Sequence, residues 1–94
     1  MATPHVPTRY TLLTLPAARR QLRQLEKTHN RNAQDVVAGI LSLAENPRPF
    51  GSRKLVNRAE RRLRIGDYRV LYLVDDVLRT VTISVIAHRR EVYR

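Results

Sequence analysis

The stretch Arg61 to Tyr72 reads RRLRIGDYRVLY and gathers the guanidinium groups of Arg61, Arg62, Arg64 and Arg69 around a Gly66-Asp67 pair. Gly-Asp between two apolar runs signals a two-residue hairpin turn. With that turn, Ile65 is predicted opposite Tyr68, Arg64 opposite Arg69, and Leu63 opposite Val70. Side chains alternate along a strand. Leu63, Ile65, Tyr68 and Val70 therefore share one predicted face, and Arg62, Arg64, Arg69 and Leu71 share the other. Like charges directly opposite one another destabilise a sheet. An anion between them relieves that repulsion, and planar guanidinium groups match phosphate oxygens two at a time. The chemistry in prospect is a phosphate cradle. The plain alternative is a solvated strand face whose long side chains splay apart.

The tail, His88-Arg89-Arg90-Glu91-Val92-Tyr93-Arg94, brings an imidazole, cations and a phenol to the end of the last predicted strand. A tyrosine can stack on a base or move a proton, and an arginine can hold phosphate. Other constellations are weaker. His5, His29 and His88 are far apart and no H-x-x-x-H box occurs, so no metal is expected. Asp75-Asp76 reads as a turn. Ser42, Ser52 and Ser84 have no evident His–Asp arrangement. With only three glycines there is no nucleotide-cradling loop, and no cofactor is expected.

The elements that must position these groups are legible from period and punctuation. Residues 1–8 contain Pro4 and Pro7 and read as a flexible arm, leaving 9–94 as a single domain. Arg9 to Thr14 suits a first strand. Thr14 is placed to cap a helix with Pro16 in its first turn. Leu15, Ala18, Leu22 and Leu25 form the apolar stripe of that helix. Asn30-Arg31-Asn32 breaks the pattern. Ala33, Val36, Val37, Ile40, Leu41 and Ala44 form the stripe of a second helix, in which Gly39 permits close packing. Asn46 to Ser52 is a loop, and the remainder to Ala87 is strand-like, with turns at Gly66-Asp67 and near Asp75-Asp76. An even second turn puts Val81, Ile83 and Val85 with Val70, Tyr72 and Val74, and Thr80, Thr82 and Ser84 with the arginines. The expected fold is α+β, β-α-α-β-β-β, with a helical hairpin packed on one face of a twisted antiparallel sheet.

Composition narrows the partners. The 94 residues carry 18 Lys and Arg against 8 Asp and Glu, a formal charge of +10. Such a surplus favours an anionic partner: nucleic acid, an acidic membrane surface or an acidic protein. A chain of this length builds one small core and leaves little room for an enclosed active site. The lack of cysteine rules out a disulfide framework and thiolate metal sites. The opening MATPHVPTRY lacks the apolar run of a signal peptide, and no stretch approaches the ~18 apolar residues of a bilayer span. A cytoplasmic protein with no membrane partner is expected.

LRIGDYRVLYLVDD, an apolar strand and then HRREVY together resemble the RelE-type toxins of the RelE/ParE toxin–antitoxin superfamily, over roughly residues 9 to 93. The resemblance implies a metal-independent mRNA endoribonuclease, an mRNA interferase that inhibits translation by cutting the message in the ribosomal A site. It implies attack of the ribose 2′-hydroxyl on the adjacent phosphate, leaving a 2′,3′-cyclic phosphate and a 5′-hydroxyl. It implies as partners the ribosome, mRNA and a cognate antitoxin protein, with no small-molecule cofactor. Carried over by residue, Arg62 and Arg64 match two basic strand positions, Arg69 would hold the scissile phosphate, and Arg89 would stabilise developing charge. Tyr93 matches a C-terminal tyrosine implicated in acid–base work or stacking. Lys54, Arg61 and Arg90 are expected RNA contacts. Family members often carry lysine where Arg62 and Arg64 stand. Arginine effectively does not lose its proton, so the proton acceptor is left open between Tyr93 and His88. Two rival functions are kept: a ParE-like inhibitor of DNA gyrase, and a non-catalytic RNA- or ribosome-binding module.

Overall fold

The computed structural model describes residues 9–88. The predicted arm, residues 1–8, and the candidate residues Arg89, Arg90 and Tyr93 lie outside the described residues. The elements run β1 (Thr11–Thr14), α1 (Pro16–Lys27), α2 (Arg31–Ser42), β2 (Arg53–Lys54), β3 (Arg61–Ile65), β4 (Tyr68–Asp75) and β5 (Thr80–His88). They form one five-stranded sheet in the order β1-β5-β4-β3-β2. The expected α+β class and helical hairpin are present. The sheet is mixed: β2 to β5 pair antiparallel, and β1 runs parallel to β5. Short connections join the antiparallel neighbours, whereas β1 is separated from β5 by both helices and three strands and pairs with it in the same direction.

Local sequence explains the helix ends. Pro16 opens α1, where a missing N–H costs nothing. The expected Thr14 cap is not formed: Thr14 stays in the ladder opposite Ile83, and Leu15 takes the cap position without a side-chain hydrogen bond. α2 starts two residues before Ala33 because the Asn30 side chain accepts the Ala33 N–H at 2.8 Å. At Gly39 a Cβ would lie 2.5 Å from Ile65 Cδ1, so the missing side chain lets α2 lie down on β3.

The core lies between the hairpin and one face of the sheet. Val36, Leu43, Val70, Tyr72, Val81 and Ile83 are fully buried there. Each such aliphatic side chain contributes about 1.5–3 kcal/mol relative to exposure. The buried Tyr72 hydroxyl donates to Pro47 O at 2.8 Å, which ties the loop after α2 to the core. Two residues of the expected stripes remain outside: Leu15 and Leu41 are exposed.

The first hairpin has the predicted register, with Ile65 opposite Tyr68 and Arg64 opposite Arg69. Gly66 takes φ +57, and the Asn32 side chain packs where a Cβ would stand. Asn32 donates to Ile65 O and accepts from Asp67 N, so the turn is fastened to the start of α2. In the second hairpin the Asp75 carboxylate accepts from Val77 N and Leu78 N, and Arg79 takes φ 55. Val74 then pairs Val81 and Tyr72 pairs Ile83, as an even turn requires.

Beyond that point the expected alternation fails. A bulge between Leu71 and Tyr72 leaves Leu71 opposite Val85 and Val70 opposite Ile86. One extra residue in β5 inverts the faces that follow it. Val85 moves to the arginine side, and Ile86, at 3% exposure, enters the core.

Candidate nucleic-acid interface

Ladder partners share a face, so the register assigns the basic side chains directly. On the face away from the core, one row runs Arg53, Arg62, Leu71, Val85 across β2, β3, β4 and β5. The neighbouring row runs Arg64, Arg69, Ala87. Both helices sit on the other face, where α1 meets β5 and α2 meets β3. Four arginines thus gather on the side of the sheet away from the helices. Gly51, Arg53, Arg62 and Arg64 line an open basin of about 390 Å³ there.

Arg69 is the centre of this arrangement. It is only 6% exposed and is the one buried charged residue among the described residues. Its Nη1 donates to Tyr68 O at 3.3 Å, and its buried Nε has no protein partner. Arg64 stands directly opposite. Among the described residues, Arg53, Arg64 and Arg69 form no ion pair with a carboxylate. A buried cation without a counter-charge is strongly disfavoured. An anion reaching the cluster removes that penalty and finds several donors already in place.

Not every predicted contact joins the cluster. Arg61 pairs with Tyr72 and so faces the core side, where Nη2 donates to Ser52 Oγ at 3.0 Å. Its own Nε is also buried without a partner, but the head group is committed to holding the loop that leads into β2. Lys54 pairs with Arg61 on that same side and donates to Arg58 O and Leu55 O. The neighbour Arg53 turns to the arginine face instead. Sequence reasoning missed it because a two-residue strand has no period to read. The one available signal was that Arg53 and Lys54 must point opposite ways.

His88 also departs from the expected grouping. It pairs with Tyr68 on the core side of the sheet, ring centroids 5.6 Å apart at 80°. An unbulged β5 would put it among the arginines, and the extra residue turns it away. With Asn30, Arg31, Asn32, Asp67 and Tyr68 it lines a separate open depression.

A second arginine cluster lies at the far end of the sheet. Arg48 holds Asp76 with two bonds, 3.1 Å to Oδ1 and 2.9 Å to Oδ2. Tyr10 donates to Asp76 Oδ1 at 2.6 Å, and Arg79 stacks on the Tyr10 ring at 4.9 Å. The Arg48 hydrogen bonds, then that from Tyr10, lower the Asp76 carboxyl to about 2. This clasp joins β1, the loop after α2 and the β4–β5 turn. Asp75-Asp76 therefore serve as turn cap and anchor.

Among the described residues no three His, Asp or Glu side chains gather as a metal site, and no helix is long and apolar enough to cross a membrane.

Comparison with known proteins bears on what this face is for. Residues 12–93 match the family described as ParE toxin of type II toxin–antitoxin system, parDE. Among solved structures, the toxin–antitoxin complex RelBE2 of Mycobacterium tuberculosis contains a chain 28% identical, with a TM-score of 0.59, covering 86% of this chain and 99% of that one. The YoeB–YefM complex of Staphylococcus aureus gives 19% identity, a TM-score of 0.67, and coverage of 85% and 97%. An E. coli RelE variant bound to a RelB antitoxin peptide gives 22% identity, a TM-score of 0.63, and 90% coverage of each chain. No curated protein sequence matches the chain.

Proposed function

The chain belongs to the ParE toxin family of type II toxin–antitoxin systems, within the RelE/ParE superfamily, and from that premise we propose that it is a metal-independent endoribonuclease. Its substrate is mRNA in the ribosomal A site, its effect is to stop translation, and its place of action is the cytoplasm. The observation that carries this reading is the buried, incompletely bonded Arg69 facing Arg64 on the side of the sheet away from the helices.

In the reaction the 2′-hydroxyl oxygen attacks the adjacent phosphorus and its proton leaves. The bond to the 5′-oxygen breaks, and that oxygen takes a proton. The products are a 2′,3′-cyclic phosphate and a 5′-hydroxyl. Arg69 grips the scissile phosphate, and Arg62, Arg64 and Arg89 stabilise the charge that develops on its oxygens. Preorganised donors of this kind contribute about 2.7–4 kcal/mol each. Arg53 and Arg90 hold flanking phosphates, in place of Lys54 and Arg61, whose head groups are bonded to the loop backbone and Ser52. Of the two candidates for proton transfer, Tyr93 takes the role, since His88 pairs with Tyr68 on the opposite face.

The partner proposed to silence the protein is a cognate antitoxin, as in the RelBE2 and YoeB–YefM complexes. The deciding experiment is cleavage of a ribosome-bound message with determination of end chemistry. Cyclic phosphate ends from the wild type and none from Arg69→Ala are expected. Intact message from the wild type refutes the reading.

A second reading has one observation in its favour: the matching family carries the name of ParE. A ParE-like gyrase inhibitor would block supercoiling in a purified assay and leave messages whole, so the two assays separate the readings.

A further inference from the structure

A singly exposed apolar side chain carries no meaning of its own, but Phe50 stands apart from the other exposed apolar residues in three ways. First, it is the one phenylalanine of the chain and is 107% exposed, so its ring buries no surface against the protein. The phenol rings among the described residues are all engaged: Tyr72 is buried, Tyr68 meets His88, and Tyr10 holds Asp76 and carries Arg79. Second, the loop that bears Phe50 is fixed on both sides. Pro47 O accepts from the Tyr72 hydroxyl, Arg48 is clasped by Asp76, and Ser52 Oγ accepts from Arg61. Pro49 to Ser52 form a β-turn closed by Ser52 N donating to Pro49 O at 3.0 Å. Gly51 takes φ +94 and Phe50 a negative φ, the pattern of a type II turn, which needs glycine at its third position. Third, Gly51 lines the basin it shares with Arg53, Arg62 and Arg64. Consecutive Cα atoms lie about 3.8 Å apart, so Phe50 stands at the rim of that basin.

Each nucleotide joins a phosphate to a base through one ribose. A basin that holds the phosphate therefore brings the attached base within reach of its rim. A phenyl ring is a stacking platform for any base, because every base has a π-face. The loop is already ordered, so little conformational entropy is lost when the ring is covered. Neither burial nor an intramolecular contact accounts for an aromatic ring at this corner; a base does. We propose that Phe50 is a base-stacking residue: a nucleotide whose phosphate lies among Arg53, Arg62 and Arg64 lays its base on the phenyl ring. The contact supplies affinity without reading sequence. The proposal rests on RNA as the ligand of the function proposed above, and adds a base-binding subsite to a basin of phosphate donors.

The test uses the full chain and two RNA strands about ten nucleotides long, a length that covers one single-strand site. Both are methylated on the 2′-oxygens so that no 2′-attack occurs; one carries its bases and the other is abasic throughout. Affinities are measured for the wild type, Phe50→Ala, Phe50→Leu and Phe50→Trp. Losing one stacked base weakens binding at least about fivefold. Phe50→Ala should show that loss toward the base-bearing strand and bind the abasic strand as the wild type does. Phe50→Leu, which keeps apolar area without a π-face, should share the loss, and Phe50→Trp should restore wild-type affinity. The thermal midpoint and the slope of log affinity against log salt should be unchanged in all three, since no buried surface and no phosphate contact is removed. Equal affinity of the wild type and Phe50→Ala for the base-bearing strand overturns the proposal. So does an equal loss toward the abasic strand, full affinity in Phe50→Leu, or wild-type protein that binds neither strand. Cleavage of a ribosome-bound message by the wild type, followed in parallel, keeps the two readings apart. Cleavage with Phe50-independent binding leaves the endoribonuclease standing and removes the stacking site. Base-dependent binding through Phe50 without cleavage does the reverse.

Discussion

The two arginine clusters use one residue type in opposite ways. At the β4–β5 turn, Arg48 is held by Asp76, and Tyr10 and Arg79 complete the set. At the other end of the same sheet Arg64 faces Arg69 and Arg53 faces Arg62. The chain supplies a carboxylate where three segments must be joined. Among the described residues it sets Arg64 against Arg69, with no carboxylate paired to either, where, on the proposed function, an external phosphate arrives. Composition cannot distinguish these arginines; the side chain that each one meets in the fold does. Removing an arginine should therefore have opposite consequences at the two ends.

The largest effect is expected from Arg69→Ala against Arg48→Ala. The first should lower the rate of message cleavage at least about 100-fold while circular dichroism shows a folded protein. The second should leave cleavage within about threefold and lower the thermal midpoint instead. Equal losses of cleavage from the two variants would erase the distinction between the clusters. Next in size is the pair Tyr93→Phe and His88→Ala. The phenol variant should lose about 100-fold or more in cleavage, given the usual range for acid–base groups, and the imidazole variant less than about threefold. A reversed order would return proton transfer to His88 despite its place beside Tyr68.

His88 also shows what the sequence could not reveal. The hairpin RRLRIGDYRVLY announced its own register, because Gly66-Asp67 permits only one pairing of the arginines. The helices were legible from their periods to within a few residues, although α1 lacks the side-chain cap expected from Thr14 and α2 has one from Asn30. Three features had no local signal. The bulge in β5 accompanies the burial of Ile86 in the core, and it exchanged the faces of Val85 and His88. The parallel pairing of β1 is a contact between distant parts of the chain. The orientation of Arg53 and Lys54 depends on a loop pinned by Tyr72, Arg48 and Arg61. Alternation reads correctly only as far as the first irregularity, and the site lies across one.

Arg64→Thr sharpens the comparison from the side of stability. Arg64 is exposed and directly opposite Arg69. Removing a like-charge cross-strand pair should stabilise the free protein by about 0.5 kcal/mol. The same change should weaken RNA binding about tenfold, since a charge-assisted hydrogen bond contributes ~1.5–3 kcal/mol. It should also reduce the slope of log affinity against log salt by about 0.7, one phosphate contact on a single strand. A variant that is both less stable and unchanged toward RNA would make the Arg64–Arg69 pair an ordinary solvated face.

The smallest effect is expected at the neutralised cluster, and its sign follows from proton linkage. Asp76 is lowered from an ordinary 3.8 to about 2, first by the Arg48 hydrogen bonds and then by that from Tyr10. A carboxyl whose folded value lies below its unfolded value stabilises the fold above the unfolded value. That contribution is fully present above about pH 4 and is lost as pH falls through about 2. Asp76 is exposed, so water and salt screen the interaction and the effect on stability at neutral pH is modest. Asp76→Asn should thus lower the thermal midpoint slightly at pH 7, with the gap from wild type closing as pH drops from 4 toward 2. Raising the salt concentration should narrow the same gap at pH 7. A gap that is constant from pH 7 to 2 would mean that the Asp76 charge contributes nothing, and that Arg48 is held by shape alone.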